Sequence, residues 1–231
     1  MESTKSKIEK IQKLNPNIEI LNVSDSIFEK YGKILDLKCK NKLIDKLINE
    51  TAIPNEGNVY KAFVRSWEEK DVVEELSTFY DEKIEIGYCN GQNTKLNALE
   101  WHDCDEINIF STDALLFLAK IEDLENYKLN SKKVKAFYVE KNTALLMYKD
   151  TLHFAPCKIE DSGFKAIVVL SDLTNTELDI QTINKSKEDQ NSLNSLLFKN
   201  NKFIICHEEA TNLTNQGVQA NINGENYNLK I

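Results

Sequence analysis

A chain of 231 residues with a net charge of −8 and a pI near 5.1 offers no electrostatic hold for nucleic acid or an anionic membrane. Hydrophobic residues make up 41% of it, enough for a sizeable core, and the length suits one large β domain or a small domain with additions. The five cysteines are odd in number, dispersed and without a Cys-x-x-Cys pair, which excludes a disulfide framework and reads as reduced thiols.

Met1 to Asn17 is charged throughout, unlike a signal peptide, and no apolar run is long enough to span a bilayer, so the expected compartment is the cytoplasm. Ser3 to Asn15 reads as a lysine-rich helix with Ile8, Ile11 and Leu14 on one stripe, stopped by Pro16. Ile18 to Val23 alternates as a strand, and Ser24 can cap a turn over Asp25–Lys30. Asn41 to Asn49 is helical, with Leu43, Ile44, Leu47 and Ile48 on one face. Val59 to Val64 reads as a strand and Asp71 to Tyr80 as a helix capped by Asp71. Residues 1–80 are therefore expected as an α+β cover on a β-domain formed by 81–231.

From Ile84 the pattern is β, with strands expected at Ile84–Cys89, Lys95–His102, Ile107–Phe110, Ala114–Ala119, Val134–Val139, Thr143–Tyr148 and Phe164–Leu170. Asn90-Gly91 predicts a hairpin between the first two, Lys141-Asn142 a second hairpin and Asn223-Gly224 a last one. Short strands at this spacing fit an antiparallel sandwich or barrel. The polar stretch Asp172 to Gln190 reads as a mobile loop, Ser192 to Asn200 as a short helix and Lys202–Cys206 as a strand ending at His207.

The chemistry concentrates around Leu99-Glu-Trp-His102. Strand alternation puts Glu100 and His102 on one face and Leu99 and Trp101 on the other. A bend at Asp103-Cys104-Asp105 would bring Glu106 back to the first pair. Two placements are open: a half-buried strand with the polar pair in water, or a barrel strand with the polar pair inside. His153, in Thr151-Leu-His-Phe-Ala-Pro-Cys157, falls where a returning strand meets a Pro-limited turn.

Glu100-x-His102-x-x-x-Glu106 with the distant His153 resembles the two-motif pattern of the cupin superfamily, in which His-x-His, a Glu and a later His bind one divalent metal inside a β-barrel. Glu100 stands where the first histidine would be, which turns the site towards harder ions. The chain is more closely similar to an uncharacterised bacterial family of cupin-like proteins, distantly similar to ureidoglycolate lyase. That likeness rests on Phe28-x-x-Tyr31-Gly32, Gly87-Tyr-Cys-Asn-Gly-x-Asn93, Leu96-Asn-Ala-Leu-Glu-x-His102, the His153 segment, Gly163-Phe164, Thr174-Asn-Thr176, Asn201-Lys-Phe and His207. It implies a mainly β chain built on a jelly-roll-like cupin barrel.

Buried carboxylates beside imidazoles are costly unpaired, and a divalent cation neutralises them. Glu100, His102, Glu106 and His153 form an N2O2 set suited to Mn, Fe, Ni, Co or Zn. Six-coordination would leave two positions open, whereas a tetrahedral zinc would be closed. Asn90, Asn93 and Asn97 are candidates for reading substrate hydroxyls, with Asn90 equally suited to a turn. Glu100 and Tyr148 are the candidate acid/base groups. Cys157 would be nucleophilic only with a depressed pKa, and His207 suits a supporting place better than a ligand's.

The function these residues imply is a metal-dependent enzyme of small polyhydroxylated or hydroxy-acid substrates. A sugar or sugar-acid isomerase comes first, a ureidoglycolate-lyase-like lyase second, and a cupin that binds a small polar metabolite without turnover third. An outward Leu99–Trp101 pair needs cover, from the chain's own helices or from a second subunit; a homodimer is expected.

Overall fold

Strand alternation sorts the side chains of this chain into three apolar layers separated by two curled β-sheets. The computed structural model describes residues 2–179, 181–182 and 192–231. One sheet runs, in spatial order, Gly32–Leu35, Ala144–Met147, Glu106–Phe110, Phe164–Ser171, Ile84–Gly91 and Asn58–Lys61, with every neighbouring pair antiparallel. The facing layer runs Ile20–Asn22, Lys135–Val139, Ala114–Lys120 and Thr151–Leu152. A single Glu100–His153 bridge then carries it on to Ala98–Trp101 and Lys202–His207.

The inner faces meet through Phe110, Leu116, Phe137, Leu145, Met147 and Phe164. Outside the first sheet, the helices Lys40–Glu50 and Lys70–Leu76 lay Leu43, Leu47, Val72 and Leu76 on Ile86, Ile109, Leu146 and Val169. Outside the second, Ile11 of the helix Thr4–Leu14 and the C-terminal Tyr227 and Leu229 cover Leu99, Trp101, Phe117 and Tyr138. The result is the expected mainly β chain, a barrel of facing β-layers with α additions. No helix among the described residues is long and apolar enough to cross a membrane.

Several local expectations are corrected. Residues before 80 also supply three barrel strands, Ile20–Asn22, Gly32–Leu35 and Asn58–Lys61, so that boundary does not separate cover from sheet. Asn90-Gly91 is not a turn: both lie in the strand Ile84–Gly91, which pairs with Phe164–Ser171 and not with Ala98–Trp101. The glycine serves close approach instead, because a Cβ at Gly91 would sit 1.9 Å from Asn58 Oδ1. The left-handed residue is Asn97, at φ 50°.

Lys141-Asn142 passes between the two layers and does not close a hairpin, since Lys135–Val139 and Ala144–Met147 belong to different sheets. The strand ending at Asn223 runs parallel to its neighbours, so it forms no hairpin either. Ser192–Asn200 holds one 3-10 turn, Leu193–Leu196, followed by the strand Leu197–Lys199. Of the polar stretch from Asp172, residues 180 and 183–190 lie outside the described residues; its beginning is a turn with Leu173 at φ 67° and Asn175 at φ 68°.

Gly87 marks a tight crossing. A Cβ there would lie 2.0 Å from the Lys61 carbonyl oxygen and 2.3 Å from that of Ala62, both backbone atoms that cannot swing aside. Gly87→Ala is expected to destabilise the fold by about 1–3 kcal/mol through overpacking. Urea denaturation checks this; an unchanged midpoint would show that the edge strand Asn58–Lys61 is held loosely.

Candidate metal centre

The bend at Asp103–Asp105 does more than return the chain: it carries it across the barrel. Glu100 and His102 come from one layer, Glu106 from the sheet opposite, and His153 from the strand beside Glu100. Leu99 and Trp101 are buried in the outer cluster, which fixes the polar pair inside. Backbone bonds in both directions join Glu100 and His153, N–H to carbonyl at 2.6 and 2.9 Å.

The hydrogen bonds behind the rings define the site. His102 Nδ1 lies 2.7 Å from the Asn201 carbonyl and His153 Nδ1 lies 2.9 Å from that of Thr151. A carbonyl only accepts, so each Nδ1 carries a proton and donates it. Both Nε2 atoms then turn inward, where Glu106 Oε2 lies 3.1 Å from that of His153 and 3.5 Å from that of His102. Asn108 Nδ2 donates to the other oxygen, Glu106 Oε1, at 2.8 Å. Glu100 Oε1 is 3.9 Å from His102 Nε2, and its second oxygen is paired with Lys202 Nζ.

The buried His102 Nε2 has no hydrogen-bond partner. Ligand atoms of Glu100, His102 and His153 all lie within 4.8 Å of one another, a spacing that can hold one ion, and Glu106 reaches both rings from the other side. Imidazoles fixed by carbonyls at Nδ1 and facing carboxylates at Nε2 suit a divalent metal as a donor set.

The same crowding moves the ionisations. Burial pushes the Glu106 carboxyl up, but the His153 and His102 rings outweigh it and hold it well below the usual carboxylate range. Burial disfavours charge on His153, yet Glu106 lifts its imidazole to about 9. In the absence of a metal, a proton on His153 does the neutralising.

Glu100, Glu106 and His153 open onto a cavity of about 180 Å³ lined by Tyr60, Asn108, Lys202, Phe154, Pro156 and Val168 among others. Tyr60 lines the cavity while keeping 43% of its surface exposed, and burial, with Glu106 and Glu100, pushes its phenol well above its ordinary pKa. A larger hollow of about 600 Å³, with Asp81, Asp105 and Asp172 on its wall, holds none of the four groups.

Other candidates sit elsewhere. Asn90 is buried and donates to Thr51 Oγ1 and the Ala52 carbonyl behind the sheet. Asn93 donates to the carbonyls of Lys95 and Ala155, and Asn97 Oδ1 accepts from Asn226; none of the three lines the cavity. These amides are taken up by loop closure, which needs polar partners as much as a substrate does. Tyr148 lies against the outer cluster, with Lys120 Nζ 5.7 Å from its ring centroid. Burial pushes the Cys157 thiol far up, so it is no nucleophile. His207 is buried with both nitrogens bonded to backbone, to Gly224 O and Glu209 N.

Tyr60 and Lys202 escape the sequence reading. Lys202 left a signal: alternation places it on the face of Ile204 and Cys206, an inward apolar face headed by a lysine. Tyr60 left none, because an edge strand with exposed neighbours gives its alternation no direction.

Asn201 emerges as a support of His102. Its backbone is left-handed at φ 52°, held by Asp103 N–H donating to Oδ1 at 2.6 Å and by Nδ2 donating to Thr174 Oγ1 at 3.1 Å. Asn201→Gly keeps that backbone region accessible but drops both anchors. Metal affinity is expected to fall about tenfold, the lower end for loss of an outer partner; equilibrium dialysis with Mn²⁺ gives the number.

No curated protein matches the chain. Solved structures similar to it include Bacillus subtilis oxalate decarboxylase at pH 4.6, 13% identical over 55% of this chain and 28% of that one, TM-score 0.33. Another is the Lactobacillus farciminis oxalate decarboxylase formate complex, 14% identical over 38% and 24%, TM-score 0.30. A third, from a study of the Mn(II) centres of the B. subtilis enzyme, is 12% identical over 46% and 27%, TM-score 0.31. The chain spans about a quarter of the length of these structures. None of this supports the distant likeness to ureidoglycolate lyase. A family model described as "Domain of unknown function (DUF4867)" matches residues 20–227, a span that holds both layers of the barrel and all four converging side chains, and the chain belongs to that family.

Proposed function

We propose that this protein is a metal-dependent cupin enzyme that moves a proton on a small hydroxylated substrate, as an isomerase or a lyase. The observation that carries the reading is the pair of imidazoles whose Nδ1 protons are committed to carbonyls while both Nε2 atoms face carboxylates. His102, His153, Glu106 and Glu100 would hold the ion. A divalent metal there supplies Lewis-acid polarisation of a substrate oxygen.

The side chains do the rest. Glu100 has one oxygen engaged by Lys202 and the other 3.9 Å from His102, so it is the carboxylate least committed to the rings and, once off the ion, the one suited to move a proton. Tyr60, kept protonated, donates a hydrogen bond into the cavity. Phe154, Pro156 and Val168 exclude water and strengthen these contacts. Asn90, Asn93 and Asn97 lie outside the cavity, and its volume of about 180 Å³ favours short substrates over hexoses among small hydroxylated ones. The partner is thus a small polar metabolite.

Elemental analysis of the purified protein, then incubation of the metal-loaded protein in deuterated water with pentoses, uronates, short hydroxy acids and ureido acids, tests the reading. Solvent deuterium entering a substrate indicates the isomerase, and urea release indicates the lyase. A protein that neither carries nor takes up a divalent metal defeats both. Binding without deuterium entry or product, with every metal tried, leaves a non-catalytic binding protein.

A further inference from the structure

Beyond the four inward groups, the cavity holds one further charged side chain among the described residues that line it: Lys202. Its side chain is only 15% exposed and paired with Glu100, so its charge is held inside the barrel mouth and not spent on solvent. Lysine is among the residues least often buried, and one retained there is balanced by what surrounds it. With both Nε2 atoms committed to an ion the imidazoles are neutral, so the protein groups, two carboxylates against one ammonium, carry one negative charge. A divalent ion turns that into one positive charge. An enclosed site settles at neutrality, so the group that completes it is a monoanion.

The hydrogen-bonding capacity left in the cavity has the same sign. Glu106 is engaged by Asn108 and by the two rings, and Glu100 by Lys202. Tyr60 oxygen accepts from Asn175 Nδ2 at 2.9 Å, which leaves its proton to donate. Lys202 has three N–H bonds and, among the described residues, one carboxylate partner. The protons that Lys202 and Tyr60 keep free are there for the acceptors of a ligand. At about 180 Å³ the cavity is smaller than the ~300–1,000 Å³ typical of drug-sized sites, which limits the body of that ligand to a few carbons.

Building on the metal reading above, we infer that Lys202, with Tyr60, anchors the carboxylate of a short monoanionic 2-hydroxy or 2-oxo acid. Neutral polyols and the corresponding amides lack the charge that Lys202 answers, and short dicarboxylates overshoot it.

Isothermal titration calorimetry on protein loaded with one equivalent of Mn²⁺, its content verified by elemental analysis, tests this with glycolate and lactate against glycolamide and lactamide. The acids are expected to bind at least about tenfold tighter than their amides, as a charge-assisted hydrogen bond requires. Lys202→Gln should erase that preference, and Lys202→Arg should keep most of it. Acid bound no tighter than amide by the loaded wild type, including no binding of either, overturns the inference while leaving the metal site standing. A Lys202→Gln variant that binds metal and keeps the full acid preference overturns it too. A wild type that takes up no metal fails at the step before, and removes both readings together.

Discussion

Replacing His153 by alanine is expected to lower the affinity for Mn²⁺ or Zn²⁺ by well over about 100-fold, beyond the 10–100-fold that loss of an outer partner costs. The ring supplies one of two converging Nε2 atoms, and nothing near it can substitute: Thr151 offers only a carbonyl and Glu106 is already turned to the rings. His102→Ala should behave alike, because its Nε2 is the buried atom with no other partner. Without a metal the result differs in kind. His153 and Glu106 then form a buried, hydrogen-bonded pair, so His153→Ala also strands a carboxylate in the barrel and lowers stability of the metal-free protein. Equilibrium dialysis and thermal melting, each with and without metal, separate the two effects. Unchanged affinity in both variants would defeat the site.

The second large effect concerns Trp101. Its indole is 2% exposed and stacks on Phe203 at 5.2 Å between ring centroids and 9° between planes. Leu115, Phe117 and Ile11 belong to the same cluster. Trp101→Ala is expected to cost about 3–5 kcal/mol, as large aromatic truncations in close-packed cores do. The apolar face that argued for a second subunit is thus filled from within, by the N-terminal helix and the C-terminal segment, and not by the two helices on the other sheet. Light scattering should therefore give the same mass for wild type and Trp101→Ala, with only the urea midpoint moved. A variant whose mass drops while its midpoint holds would return Trp101 to an interface.

The site was legible in the sequence where chemistry and alternation agree. Glu100 and His102, two apart with Leu99 and Trp101 between and before them, allow one inward polar pair, and Glu106 and His153 are the residues a metal would require nearby. What the spacing could not reveal is that Glu106 arrives from the opposing sheet, since a three-residue bend can reverse a chain or carry it across a barrel. Asn90-Gly91 misled because glycine answers two demands, a positive φ and a close neighbour, and a local reading sees only the first. Asn58, whose oxygen stands where a Cβ would be, is more than thirty positions away. Lys202 and Tyr60 belong to strands whose inward face is decided by partners distant in sequence.

The ladder between Ala98–Trp101 and Lys202–His207 gives the centre a history as well as a shape. Its ligands are complete by residue 153, but the carbonyl that orients His102 and the ammonium that engages Glu100 come from residues 201 and 202. A chain emerging from the ribosome holds the four donor groups long before it holds the parts that aim them. Contacts this far apart in sequence also close late in folding. The aimed arrangement of the two rings and Glu100 is therefore a property of the finished barrel rather than of a nascent strand.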